Sequence, residues 1–274
     1  MSALDSLWKR NFAALGPYWH HVFGVLGARA VVLPLVGAGS DGAPDAASFT
    51  ARRWSTAAPD AVFTWSEPPA SFDAPFDPAD PACWQGIAPV LTLNGSDEKC
   101  GAPSHYYWSL PRQQASFGVW ARLSDAANAT LFAKKLDASK REYRVGFNAS
   151  GAPVITVYDS SRGGYIQTEG VSAIGEDEWH FVVWTYDGLR QAHGLNVYCD
   201  GAPCATTDST TNFTGSSSGS SPLRVFEDAQ DDDLFYTGKV AGGPLGPFHI
   251  DRLALKQEQV ERLYTLGRAA LGLV

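Results

Sequence analysis

Asp177-Glu-Trp-His-Phe-Val-Val-Trp-Thr-Tyr-Asp-Gly188, followed by Val197-Tyr-Cys-Asp-Gly201, is the stretch whose reading decides the fold. Trp179 to Tyr186 is nearly all β-branched or aromatic, as expected of a central strand, and Asp187-Gly188 closes it. Leu195, Val197 and Cys199 alternate before a second turn at Asp200-Gly201. Both Asp-Gly pairs suit turns that need positive φ, so two antiparallel neighbours are expected here rather than a βαβ unit.

The same texture extends outward. Arg141 to Asn148 alternates, with Tyr143, Val145 and Phe147 on one face and Glu142, Arg144 and Asn148 on the other. The turn Asn148-Ala-Ser-Gly151 leads into Val154 to Tyr158, predicting a hairpin. A Ser/Thr/Gly-rich stretch, residues 206 to 221, reads as a loop. Near the C-terminus Val260, Leu263 and Tyr264 share a helical face, and Gly267 is the expected stop. Short strands between turns predict an all-β sandwich.

The front of the chain differs. Leu4, Leu7, Trp8 and Phe12 recur at three- and four-residue steps, predicting a short amphipathic helix over residues 2 to 15. A second apolar piece runs from Val22 to Val36. Residues 37 to 82 are rich in proline with little periodicity and read as an extended arm. Two regions are therefore expected: residues 1–86 as helix and Pro-rich docking arm, and 87–274 as the sandwich with its short C-terminal helix. The helical stripe Leu4, Leu7, Trp8 and Phe12 is the candidate docking face, because an apolar face on a terminal helix needs a cover.

Four stretches together resemble the LamG-like, concanavalin A-type lectin/glucanase jelly rolls. Leu91-Thr-Leu-Asn-Gly-Ser-Asp-Glu98 resembles the opening strand, Ser116 to Arg122 an inner strand, Asp177 to Gly201 the core motif, and Phe248 to Tyr264 the final strand and helix. Gly238 to Pro247 is similar to a variant found in phage and environmental-virus members. Trp120, Trp179 and Tyr186 are expected to fill the space between the sheets. The resemblance implies calcium as the cofactor candidate, with Asp97 in the opening turn as its ligand.

Composition limits the function classes. A net charge of −8 argues against nucleic acid or an anionic membrane surface as partner, and no apolar run reaches the ~20 residues that span a bilayer. Lys9 and Arg10 precede a partly apolar stretch, but His20, His21 and Arg29 interrupt it, so no removed leader is expected. Catalytic signatures are thin. Glu176 and Glu178 have the spacing of a glucanase carboxylate pair, yet they precede Trp179, where a solvated loop is expected. His180 reads as structural. Tyr106, Tyr107 and Trp108 either stack on sugar rings or cover the sandwich edge. Cys199 and Cys204 either close a hairpin or stay as thiols, and Cys83 and Cys100 have no assigned partner.

The expected role is non-enzymatic: a structural or decoration protein of a tailed-phage virion, at the virion surface or outside the cell. The arm would grip a capsid or other virion protein or a sister subunit in a homo-oligomer. The alternative is a carbohydrate-binding adhesin module that recognises a cell-surface glycan.

Overall fold

The structure is a computed structural model. It describes residues 25–26, 30–32, 37–38, 44–45, 48–50, 52–53, 61–67, 90–95, 99–110, 112–125, 128–135, 140–215, 219–227, 236–241, 249–251 and 253–271. Short strands come first: β1 (Val31–Val32), β2 (Gly37–Ala38), β3 (Pro44–Asp45), β4 (Ser48–Thr50), β5 (Arg52–Arg53), β6 (Val62–Glu67), β7 (Val90–Asn94) and β8 (Lys99–Ala102). The long strands follow: β9 (Ala115–Leu123), β10 (Ala129–Lys135), β11 (Arg141–Phe147), β12 (Pro153–Asp159), β13 (Gly164–Gly170) and β14 (His180–Tyr186). Then come β15 (Leu195–Cys199), β16 (Ala202–Pro203), β17 (Thr206–Thr211), β18 (Leu223–Val225), β19 (Thr237–Ala241), β20 (His249–Asp251) and helix α1 (Gln257–Leu271).

Two antiparallel sheets carry the fold. In the first, the order is β16-β15-β14-β9-β20-β1-β5, with β19 beside the far half of β9 and β7 beside β19. In the second it is β17-β13-β12-β11-β10-β18-β8-β6-β4. Alternation sends Phe117, Val119 and Ala121 of β9 and Val182, Trp184 and Tyr186 of β14 inward. They meet Tyr143, Val145 and Phe147 of β11, Ile155 and Val157 of β12 and Ile166 of β13. Phe117 lies 5.2 Å from Tyr143, and Phe147 meets Trp184 edge-on at 5.6 Å. Each such side chain contributes about 1.5–3 kcal/mol by leaving water. The all-β sandwich and the strands expected around residues 116–122, 141–148, 154–158 and 179–186 are present.

Four expectations need correction. The boundary at residue 86 does not separate an arm from a sandwich, because β1 pairs with β20 and β6 pairs with β8. Val31, Phe63 and Trp65 belong to the interior, and the Val25 carbonyl accepts from the Gln259 amide of α1 at 3.1 Å. The physical reason is simple: without these early strands the sheets would expose the aromatic interior at one flank. Second, Thr206–Thr211, read as loop, is an edge strand paired with β13, which its β-branched threonines favour.

Third, α1 runs through Gly267 instead of stopping there. A Cβ at this position would lie 2.6 Å from the Trp120 indole nitrogen, so the glycine admits the ring rather than ending the helix. Fourth, Trp120 is buried, but outside the inter-sheet space: it stacks on Tyr264 of α1 at 5.7 Å and tilts on Phe181 at 5.4 Å. Tyr186 is in the interior as expected, while Trp179 is only half-buried.

Candidate functional site

Register decides what shares an end of the second sheet. Lys135 pairs with Arg141, Asp159 with Gly164, Tyr165 with Thr211, and Leu223 with both Lys134 and Ala102. The ends of β8, β10, β12 and β17 therefore lie level with the starts of β11, β13 and β18. Residues 103–110, 160–163, 212–215 and 219–222 all emerge there.

Two buried carboxylates hold these segments in place. Glu142 accepts from Lys134 Nζ at 2.5 Å, the Gly219 N–H at 2.5 Å, and Ser109 Oγ and the Leu110 N–H at 3.3 Å each. Lys134 Nζ also donates to the Gly219 carbonyl at 2.7 Å. Asp159 accepts from Ser161 Oγ at 2.5 Å, the Thr214 N–H at 2.9 Å, Thr214 Oγ1 at 2.8 Å and the Gly215 N–H at 3.2 Å. Burial pushes the Asp159 carboxyl up, but these hydrogen bonds together outweigh it and bring it down to about 2. One charge thus ties the 103–110 segment to Gly219, and the other ties the β12–β13 turn to residues 214–215. Neither role was visible in the sequence, where Glu142 sits on the polar side of an alternating strand.

Above these anchors lie aromatic rings. Val157 and Ile166 face the interior, so their neighbours Tyr158 and Tyr165 face outward, directly opposite one another and half-buried. The Arg141 guanidinium lies 4.4 Å from the Tyr158 ring centre and Lys135 Nζ 6.0 Å. Such cation–π placement fixes the ring plane. At the same end Tyr106 is 72% exposed, with the His105 ring 4.4 Å away. His105 Nδ1 accepts from the Tyr107 N–H at 3.1 Å. The arrangement offers flat apolar faces with polar edges, already ordered before a ligand arrives.

The sequence-predicted residues scatter. Of the three aromatic candidates only Tyr106 is available. Tyr107 and Trp108 are 3% and 1% exposed, and Trp108 packs edge-on against Phe63 at 5.9 Å, so they cover the core rather than a sugar. Asp97 and the docking stripe Leu4, Leu7, Trp8 and Phe12 lie outside the described residues. Among the described residues no group of three or more His, Cys, Asp or Glu side chains is placed to hold a metal ion. Tyr158 and Tyr165 went unnoticed, although alternation with Val157 and Ile166 was the available signal.

The opposite end carries the other polar group. His180 Nδ1 and Asp200 Oδ2 are 2.7 Å apart, Asp200 Oδ1 accepts the Phe181 N–H at 2.9 Å, and Glu178 lies 3.8 Å from His180 Nε2. The hydrogen bond to Asp200 holds the imidazole above its usual range, against the opposing effect of burial. Glu176 and Glu178 are exposed in the segment before β14. The Cys199 and Cys204 sulfurs lie 2.6 Å apart, within the same turn, and Cys100 is buried. No helix among the described residues is long and apolar enough to cross a membrane.

A model of the concanavalin A-like lectin/glucanase superfamily, of the third laminin G type, matches residues 94–260. The chain belongs to this superfamily. Comparison with curated sequences finds no match. Among solved structures, botulinum neurotoxin type C, which interacts with two ganglioside molecules to enter cells, is similar at 13% identity and a TM-score of 0.53 over 89% of this chain and 52% of that one. The receptor-binding domain of a botulinum neurotoxin mosaic of serotypes C and D gives 11% and 0.52 over 88% and 51%. Domain 4 of an extracellular GH43 arabinanase from Geobacillus stearothermophilus, solved with arabinotriose, gives 16% and 0.46 over 65% and 77%. The chain spans about half the length of the neurotoxin chains. Superfamily members share the sandwich, and at these identities the likeness concerns the fold alone.

Proposed function

We propose that this superfamily member is a non-catalytic glycan-binding domain whose contact surface is the end bearing Tyr106, Tyr158 and Tyr165. One observation carries the reading: Tyr158 and Tyr165 stand side by side on the outer face of the second sheet, with Arg141 over one ring, above loops pinned by Glu142 and Asp159. A sugar needs a flat apolar face beside hydrogen-bonding edges, and a site ordered in advance loses little entropy on binding. Membership of a lectin/glucanase superfamily supports it. The His180–Asp200–Glu178 group lies at the far end and has no part in the binding.

A glycan array followed by calorimetry on the full chain tests the proposal. Tyr158→Ala and Tyr165→Ala each lose roughly tenfold or more in affinity, the scale expected when a central aromatic contact is truncated. Tyr106→Ala has a smaller effect. Unchanged binding in the triple variant refutes the reading. A chelator arm tests calcium dependence through Asp97, and hydrolysis assays with Glu178→Gln test for enzyme activity.

Display on a tailed-phage virion is a separate proposal, favoured by the resemblance of Gly238 to Pro247 to virus members of the family. Its anchor would be Leu4, Leu7, Trp8 and Phe12, and its partner a capsid protein or a sister subunit. Deleting residues 2–15 removes that stripe and keeps the buried Val25, Leu26 and Val31. A truncated chain that still attaches to its particle is anchored elsewhere.

A further inference from the structure

We infer that the glycan-binding end contains an anion subsite, so that its ligand is an acidic saccharide bearing a carboxylate or sulfate; this rests on the glycan-binding reading above. The subsite is a groove of about 610 Å³ lined by Arg162, Thr210, Asn212, Phe213 and Thr214. It is an open surface groove rather than an enclosed cavity. It lies at the same end of the sheet as the tyrosine pair: Thr210 is opposite Ile166, Thr211 is opposite Tyr165, and Arg162 is three residues before Tyr165.

Charge is the first argument. The protein carries a net −8, yet the accessible charges around this groove are mainly cationic. Arg162 and Lys140 are exposed and Arg141 and Arg190 half-buried. Of the nearby carboxylates Glu142 and Asp159 are buried, while Asp187 is half-buried and Asp208 exposed, and both keep their charge. Glu142 is ion-paired to Lys134, and Asp159 accepts four hydrogen bonds. Asp187 closes its own turn on the Leu189 N–H at 2.8 Å, and Asp208 accepts from Thr168 Oγ1 at 2.7 Å. A cationic end on an acidic protein selects an anion against the background field.

Construction of the groove is the second. Gly163 (φ 63°), Asn212 (φ 45°) and Gly215 (φ 151°) hold left-handed backbone around it, and the Asp159 hydrogen bonds to residues 214 and 215 maintain that shape. Arg190 donates to the Thr214 carbonyl at 3.2 Å and braces the wall. Chemistry follows from the lining. The Arg162 fork matches a carboxylate or sulfate in two parallel bonds. Half-buried Phe213 supplies an apolar face for the ring, while the Thr210 hydroxyl and Asn212 amide reach sugar hydroxyls.

Calorimetry on the full chain with a methyl glucuronide, a sulfated methyl glucoside, neutral methyl glucoside and inorganic sulfate tests this. Both acidic sugars are expected to bind roughly tenfold or more tightly than the neutral one, the scale of one charge-assisted hydrogen bond. Arg162→Gln removes the difference and Arg162→Lys restores part of it, both with the melting temperature unchanged, while Phe213→Ala, which also loses packing against the core, weakens all sugars. Equal affinity for neutral and acidic sugars overturns the subsite and leaves the glycan reading standing. Sulfate binding without any preference among the sugars also overturns it. Failure of every sugar to bind overturns both.

Discussion

Lys134 and Glu142 form an ion pair at 2.5 Å in which the two side chains are 0% and 1% exposed. Removing one partner strands the other charge away from water, which costs about 3–5 kcal/mol. Glu142→Ala is therefore expected to destabilise the chain by that amount in urea unfolding. It should also loosen the segments around Leu110 and Gly219, seen as faster amide exchange. The double variant Lys134→Met/Glu142→Leu removes both charges and should cost clearly less than the two single changes added together. Additive single effects below about 1 kcal/mol would place the pair outside the fold's main supports.

Asp159 gives a pH signature. Its folded value of about 2 lies below the unfolded 3.8, so the folded state binds this proton more weakly. The stability it supplies is complete above 3.8 and disappears as pH falls through about 2. Asp159→Asn should flatten the part of the acid-unfolding profile between these two values. It should also release residues 214 and 215 and so weaken ligand binding at neutral pH. An Asp159→Asn profile that overlays the native one between these values contradicts the assignment.

Gly267 separates two physical effects by sign. Helix propensity alone favours Ala over Gly by about 1 kcal/mol inside α1. The Trp120 indole, stacked on Tyr264, instead leaves no room for a methyl group, and overpacking costs about 1–3 kcal/mol. Gly267→Ala is expected to lower the melting temperature and change the near-ultraviolet tryptophan signal. A stabilised variant means that α1 does not press on Trp120.

The long strands were legible in the sequence because β11, β12 and β14 alternate or run apolar for seven residues, enough to fix both period and face. β6 fell within residues 37–82, which read as an arm: Phe63 and Trp65 sit at the two-residue spacing of an inward face, but the prolines around them hid it. β1 and β5 are two residues long, too short for any period. β17 shows no alternation in polarity, since both of its faces are polar. The site was less readable for a different reason. Local letters found Tyr106 but could not separate it from Tyr107 and Trp108, the latter packed on Phe63, some forty residues earlier. Glu142 and Asp159 owe their roles to Gly219 and Thr214, and such distant partners leave no mark on the residues beside them.

His180 and Asp200 provide the last test. The hydrogen bond raises the folded imidazole above 6.5, its unfolded value, with charge from Asp200 and Glu178 adding and burial opposing. The folded state then holds this proton more tightly. Its contribution is fully present below 6.5 and is lost as pH rises through the folded value. Asp200→Asn suits the turn, because asparagine tolerates the φ of 52° found there and still accepts the Phe181 N–H, while it removes the charge. NMR titration should show His180 shifting downward in this variant, and urea midpoints should lose their decline from acidic toward alkaline pH. A native His180 titrating at or below 6.5 means that burial outweighs the carboxylate and that the pair contributes no such slope.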